Sequence, residues 1–422
     1  MGNVPSLRAW IDQWWARLLA VISLLIFIAF IFLPSSNKVT HGFAAYYTSS
    51  RLIFEQRGGP IFYDDNKFQA EVEYFTDGRA TDIYWANPPT TALMFLPLAA
   101  LSISTARCLW IGISFVSLFL TILLLGSVFF KAPFKTKAFY VTTSILFLSA
   151  PLAKNFQYGQ AYVLILAFYA IALFALSSDH DWLAGFFLGL VLAFKASGAP
   201  LMILLLIRGR WRVIAWALLS FVGLVLFSIP LVGIATWRIY LFNVIPNFLV
   251  DPVIAVTAYQ TVPGFIRHLF TFDDTWNPGP LANWPTFAML FNLLIALTLV
   301  GLTSIRSRHT TLKWTFSVGL LLSVILVPAA EQHHYILLFP AFLFAARSPL
   351  IPRAPLYIAA ALIVLPLGYI SEALSSGWWA LMAYPRLYGA IILFALLHLY
   401  QKDSKPSFPH AATNIDAFPR TQ

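Results

Sequence analysis

Apolar runs follow one another from residue 18 to residue 399, and no interval between them is both long and polar enough to build a separate water-soluble core. A soluble domain carries roughly 25% charged residues, whereas this chain carries 10% against 59% hydrophobic. Such a chain must satisfy its backbone polar groups internally and present its side chains to lipid, which leaves helices as the economical solution. The expectation is one all-α polytopic membrane domain over residues 1–400, followed by a disordered cytoplasmic tail at 401–422, where three prolines and no apolar period leave nothing to pack.

A span needs about 20 apolar residues. By that measure segments lie near 16–34, 106–130, 138–153, 158–177, 211–233, 285–303, 313–329, 335–347, 354–371 and 380–400. The run 182–207 is interrupted by Lys195, Gly198 and Pro200, and reads as two short helices meeting on the outer side. Counting it as two gives twelve crossings, and the expectation is a bundle of about 10 to 12 transmembrane helices. Residues 89–101, after Pro88 and Pro89, are too short to cross and read as a re-entrant or interfacial helix. The first run lacks a small-residue cleavage pattern and is expected to stay as a signal anchor.

The net charge of +10 does not point to nucleic acid. Its cations fall in short clusters between apolar runs, at Lys131, Lys135 and Lys137, at Arg208, Arg210 and Arg212, at Arg306, Arg308 and Lys313, and at Arg347 and Arg353. Clusters of this kind mark the cytoplasmic side. With Arg8 and Arg17 before the first span and Lys402 and Lys405 after the last, both termini are expected inside. Two long segments, 35–88 and 234–284, then form outer loops, and the acidic residues concentrate in them and at Glu331 and Glu372. In the first loop Phe43, Tyr46, Tyr47, Ser50, Ile53 and Phe54 recur at spacings of three and four, predicting an amphipathic helix along the membrane surface. A single cysteine, Cys108, excludes an internal disulfide and a cysteine metal site.

Five motifs interrupt this apolar plan: His41-Gly-Phe-Ala-Ala-Tyr-Tyr-Thr-Ser-Ser-Arg51 with a following Ile61-Phe-Tyr-Asp-Asp65; Asp82-Ile-Tyr-Trp-Ala-Asn-Pro-Pro89; Asn155-Phe-Gln-Tyr-Gly-Gln160; Lys195-Ala-Ser-Gly-Ala-Pro200; and Glu331-Gln-His-His-Tyr335. In their order and spacing they resemble glycosyltransferase family 87, the polyprenol-phosphate-mannose-dependent mannosyltransferase-like branch of the GT-C superfamily. The resemblance covers most of the chain. It implies a GT-C-like bundle in a bacterial cytoplasmic membrane, with the active site on the extracytoplasmic face. It also implies inverting transfer of a sugar, mannose or another hexose or pentose, from a polyprenyl-phosphate donor to a lipid or glycan of the cell envelope. One departure stands out: the family usually carries an acidic residue just before the Phe that matches Phe43, and here that position is Gly42.

The chemistry of the motifs fits such a transfer. An outer-face enzyme has no access to cytosolic nucleotide sugars, so a donor dissolved in the membrane suits it. Transfer needs a group to take the acceptor hydroxyl proton, and cations or donors to hold the leaving phosphate. Glu331, His334, Asp82 and His41 are the catalytic candidates. His333, Lys195, Gln157, Gln160, Arg51, Asn87 and Tyr47 are the substrate-binding candidates.

Each has a plainer alternative. Glu331, His333 and His334 can cap a helix; Lys195 can snorkel to the interface; Asp82 can start a turn; Gln157 and Gln160 can sit at a polar helix start. Arg107 can anchor a span at the interface, and Tyr46 and Tyr47 can be belt aromatics. No third-ligand motif accompanies His333 and His334, so no cofactor is expected and a divalent cation has no support. A transporter or flippase of lipid-linked sugars, and a non-catalytic assembly protein on the same scaffold, are the competing functions.

Overall fold

A computed structural model of the protein describes residues 7–400, so the expected tail at 401–422 lies outside the described residues. Among these residues there is no strand, only one isolated bridge between Asp273 and Asn277. Five helical stretches are long and apolar enough to cross a membrane: Gln13–Ser36, Ile103–Phe129, Trp211–Val232, Ile234–Ala255 and Pro285–Ser307. A sixth arises if Ala150–Tyr158 and Tyr162–Ser177, bent by 118°, form one broken span.

The remaining apolar segments fold as shorter helices. Leu312–Ile325, Arg353–Val364 and Pro385–Leu399 fall short of 20 residues, and Leu312–Ile325 is buried on every side from Trp314 onward. A helix that is hydrophobic all round belongs in a core. By contrast, Leu219 and Leu226 on one long helix, and Leu293 and Leu297 on another, are more than half exposed, as a lipid-facing surface requires. The expected 138–153 span is divided: Lys137–Phe147 ends at Leu148, and Ser149 caps a new helix by accepting from the Leu152 N–H.

The basic connections meet at one end of the bundle. Arg208 Nη1 donates to the carbonyls of Ser307 and Thr310, Lys313 Nζ to that of Val128, and Arg17 Nη2 to that of Phe134. The helices Ala199–Ile207, Leu312–Ile325 and Phe339–Arg347 separate these connections from the Lys195 and Glu331 motifs.

Two expectations about the outer segments need correction. The helix Phe43–Phe54 forms where its spacing predicts, but it is not a surface helix: every residue from Phe43 to Ser50 is buried, together with Leu52 and Ile53. Its second face is covered by the short helix Thr91–Phe95 and the turn Leu96–Leu98, the short helical stretch expected within 89–101. The segment 234–284 is not loop throughout, since Ile234–Ala255 is helical and exposes Phe242 and Val250.

Candidate active site

The Gly-Gln turn is set by its neighbours. Gly159 closes the helix Ala150–Tyr158 in the left-handed conformation, φ +64°, where glycine is unstrained. A Cβ there would lie 1.8 Å from Arg107 Nη1. Arg107, fully buried, is no interfacial anchor: it donates to the carbonyls of Ser35 (2.9 Å), Phe156 (2.8 Å) and Gln157 (3.0 Å). Trp110 Nε1 donates to the Gly159 carbonyl at 2.8 Å. The orphan carbonyls of a helix end are thus satisfied by side chains, and Gln160 is aimed inward, its Oε1 accepting from Tyr46 Oη at 2.8 Å.

Asp82 sits at the start of the helix Phe43–Phe54. Its Oδ2 accepts from the N–H groups of Gly42 (2.5 Å) and Ala45 (3.1 Å), and its Oδ1 from that of Ile83 (3.0 Å). A carboxylate at a helix N-terminus satisfies orphan donors and complements the dipole. Gly42 itself has φ +83°, and a Cβ added to it would fall 2.5 Å from Gln160 Nε2 and 2.9 Å from the Tyr158 carbonyl oxygen. This backbone therefore has no room for a side chain at 42. The carboxylate beside the helix start comes from residue 82 instead.

Lys195 ends the helix Asp181–Lys195, which stops because Ala196 turns left-handed, φ +46°. Thr90 and Thr91 donate their hydroxyls to the carbonyls of Ala193 and Phe194, docking the Pro88-Pro89 segment onto that helix end. The ammonium donates to Asn87 Oδ1 at 2.8 Å and to Tyr46 Oη, and lies 4.5 Å from the Tyr46 ring centroid and 5.3 Å from that of Tyr162. Aromatic faces and neutral oxygens hold this cation, with no carboxylate in hydrogen-bond range among the described residues.

The Glu331 motif forms a capped turn leading into Gln332–Leu338. The Glu331 N–H donates to His334 Nδ1 at 3.1 Å, so that nitrogen is unprotonated and a neutral ring carries its proton on Nε2. Burial, then the Lys195 charge, brings the His334 pKa down to about 3. His333 is pushed below its ordinary value for the same first reason and stacks on His334 at 4.4 Å. Glu331 keeps 42% of its side chain open to the cavity, and its Oε2 lies 3.6 Å from His333 Nδ1, beyond hydrogen-bond length. Its carboxyl is raised by burial and by the Asp82 charge, with Lys195 opposing. Asp82 is raised by burial against the backbone donors that hold it.

Tyr46, Asp82, Gln160, Lys195, Glu331, His333 and His334 face one cavity of about 490 Å³. Of the residues singled out in the sequence, His41, Asp82, Asn87, Gln160, Lys195, Glu331, His333 and His334 line it. Three do not. Tyr47 is buried with its hydroxyl on the Leu101 carbonyl at 2.7 Å. Arg51 pairs with Glu55 at 2.7 Å and with the Ala99 carbonyl. Gln157 lines a separate small cavity beside Lys38 and Lys154.

Tyr46, expected in an interfacial belt, is 2% exposed and bridges Lys195 to Gln160. Tyr162, Trp85, Tyr259, Tyr240 and Phe248 also line the cavity. Trp85 takes a left-handed backbone, φ +38°, and stacks on Tyr259 at 6.2 Å. Trp85 stands inside and Tyr162 beside a sequence motif, whereas Tyr240 and Phe248 carry no such signal, lying in the segment 234–284 expected as an outer loop. Among the described residues no three His, Cys, Asp or Glu side chains group as metal ligands.

An all-helical membrane protein with carboxylates, neutral imidazoles and an amine around one aromatic cavity has the makings of a transferase, and comparison with known proteins supplies the class. Residues 85–328 match the model of glycosyltransferase family 87, and the chain belongs to that family. A polyprenol-phosphate-mannose-dependent alpha-(1-2)-phosphatidylinositol pentamannoside mannosyltransferase of Mycolicibacterium smegmatis is 24% identical over 264 residues, 62% of this chain and 61% of that protein. An alpha-(1->3)-arabinofuranosyltransferase of Corynebacterium glutamicum is 22% identical over 321 residues, 74% of this chain and 68% of that protein. The chain thus spans about three-fifths of the length of the first of these relatives. No solved structure matches it significantly.

Proposed function

We propose that this protein transfers a sugar from a polyprenyl-phosphate donor to a lipid or glycan of the cell envelope, with inversion, on the extracytoplasmic face of a bacterial cytoplasmic membrane. The observation that carries the proposal is the division of labour around the cavity. Asp82 is committed to three backbone donors, while the Glu331 carboxyl, raised and 42% open to the cavity, accepts from the His334 backbone N–H of its capping box.

Glu331 is then the base that takes the acceptor hydroxyl proton. Lys195, which has only neutral partners, receives the leaving phosphate, with Asn87 and Tyr46 setting its position. His334 offers an Nε2–H, which suits it to donate to the sugar or the phosphate rather than to accept a proton. Trp85 and Tyr259 supply a stacking wall for the sugar ring. Val244, Ile245 and Leu249, from the helical stretch Ile234–Ala255, form an apolar flank for the first units of the prenyl chain.

The orientation is supported by the gathering of basic connections at the end opposite the cavity, since such residues stay cytoplasmic. With both termini inside, residues 1–400 form one domain of 10 to 12 crossings in which the shorter helices also traverse. Cysteine labelling that placed residues 82 and 333 on opposite leaflets would end this topology.

The relatives' names support a prenyl-linked donor, mannose or a pentose being the sugars to try. The decisive experiment incubates purified protein in detergent with radiolabelled polyprenyl-phosphate mannose or arabinose and an envelope lipid extract. Labelled product from wild type, absent with Glu331→Gln, is expected. Donor binding without transfer would instead favour an assembly role, and movement of donor across sealed vesicles without transfer would favour a flippase.

A further inference from the structure

Gln157, a substrate-binding candidate that the active cavity leaves aside, faces a second cavity of about 320 Å³. Lys38 and Lys154 supply its charge, and Phe30 and Pro34, near the end of Gln13–Ser36, supply its apolar lining. Among the described residues no acidic side chain lines it, and neither lysine meets a carboxylate. Behind its wall Arg107 donates to the carbonyls of Ser35 and Gln157, and Arg107 Nη1 has no hydrogen-bond partner among the described residues. A recess lined by one sign of charge concentrates counter-ions, and this one is built for an anion.

The recess adjoins the active cavity. Lys154 Nζ lies 4.9 Å from the Tyr158 ring centroid, Tyr158 packs on His41 at 4.3 Å, and His41 lines the active cavity. Thr40, the residue before it, donates its hydroxyl to the Gln157 carbonyl at 2.9 Å, which ties the partition between the two spaces together. Lys38 stands between the end of the first span at Ser36 and His41. The recess therefore opens at a membrane boundary, at the same end of the bundle as the Glu331 turn. Phe30 and Leu33 are more than half exposed, so the lipid-facing surface of that span leads up to it.

We propose that this recess holds the headgroup phosphate of a lipid between Lys38 and Lys154, with the acyl tail against Phe30 and the rest of the headgroup directed past Tyr158 and His41 toward the active cavity. Free phosphate would leave Phe30 and Pro34 uncovered, whereas a lipid phosphate engages the charged and the apolar lining together. The Gln157 amide, which makes no side-chain hydrogen bond among the described residues, is available to donate to the same phosphate. On the transferase reading above, on which this step rests, that lipid is the acceptor. The enzyme then holds two phosphates, the donor's at Lys195 and the acceptor's here.

Native mass spectrometry of the full-length protein in detergent tests the site with phosphatidylglycerol and with a neutral glucosyl diacylglycerol of identical acyl chains. Each cation near a membrane surface contributes about five-fold, so the double variant Lys38→Gln/Lys154→Gln should lose roughly 25-fold in phosphatidylglycerol retention with little change for the glucolipid. Equal retention of the two lipids by wild type, undiminished phosphatidylglycerol on the variant, or its displacement by excess inorganic phosphate overturns the proposal. The acceptor role is read separately, by splitting the envelope lipids into anionic and neutral fractions on an anion exchanger. Wild type should label the anionic fraction, and the double variant should need more of it for half-maximal rate. Labelling of the neutral fraction alone overturns the acceptor role. Labelling of neither, with lysine-dependent retention of phosphatidylglycerol intact, sinks the transferase reading and leaves the lipid site standing.

Discussion

The backbone N–H of Glu331 donates to Nδ1 of His334, 3.1 Å away, so the imidazole is committed as an acceptor on one side and can offer only Nε2–H to the cavity. Protonating the ring breaks that bond, and burial already holds its pKa at about 3 instead of 6.5. A histidine whose pKa is depressed by folding contributes stability that is present above 6.5 and lost as pH falls toward 3. Thermal unfolding of His334→Gln should therefore show less loss of stability than wild type between pH 6.5 and 4. An identical acid dependence in the two proteins would mean that the ring is charged in the fold.

Activity should follow the other member of the pair. Glu331 must be ionised to accept a proton, and burial together with Asp82 raises its pKa, so the rate should climb with pH through a midpoint above the ordinary carboxylate range. Glu331→Gln should lower kcat by about 10²- to 10⁴-fold while donor binding persists. His334→Gln should leave the midpoint where it is, because the imidazole does not titrate in that range. A midpoint that moves with His334 would assign the base to the histidine.

Lys195 is predicted to act on binding. Its methionine variant removes a charge-assisted contact of about 1.5–3 kcal/mol, roughly 10- to 150-fold in donor affinity. The loss should be read with an intact polyprenyl-phosphate sugar, and should vanish for a neutral prenyl glycoside that lacks the phosphate. An equal loss for both ligands would make the lysine a structural prop for Tyr46.

How much of this could be seen beforehand depended on contrast. Asp82, Lys195, Glu331, His333 and His334 stand out because ionisable groups are costly where the chain is otherwise apolar, and the fold brings all five to one cavity. Arg51 carried the same signal, yet a carboxylate one turn away, Glu55, neutralises it. Tyr46 and Tyr47 are neighbours with identical chemistry, and only the packing of Thr91–Phe95 against their helix decides that the first faces Lys195 and the second the Leu101 carbonyl. The burial of Phe43–Phe54 was hidden likewise, because its covering helix is only five residues long. Within Ile234–Ala255, Arg238, Asn243, Pro246 and Asn247 dilute hydropathy enough that a helical stretch reads as loop. The 118° bend at Gly159 rests on Arg107, some fifty residues earlier, which no local pattern announces.

Gly42, where the resemblance implies an acidic residue, offers the sharpest test of the start of that buried helix. If the resemblance held at this position, Gly42→Asp would be a repair. The structure predicts the opposite. The backbone at 42 is left-handed with ψ −64°, a conformation that costs a non-glycine residue about 1–3 kcal/mol, and the new Cβ would press on Gln160 Nε2 and the Tyr158 carbonyl. A new carboxylate would also stand beside Asp82, whose Oδ2 already holds the Gly42 and Ala45 N–H groups. Gly42→Ala should lower stability by the strain alone. Gly42→Asp should lower it further, and turnover should fall in both. Asp82→Asn should keep most of the stability, since asparagine also caps a helix, while Asp82→Ala should lose about 0.5–2 kcal/mol. Thermal unfolding and transfer assays on these four variants separate the cases. Higher turnover in Gly42→Asp would show that the carboxylate belongs at residue 42 after all, and that Asp82 is no substitute for it.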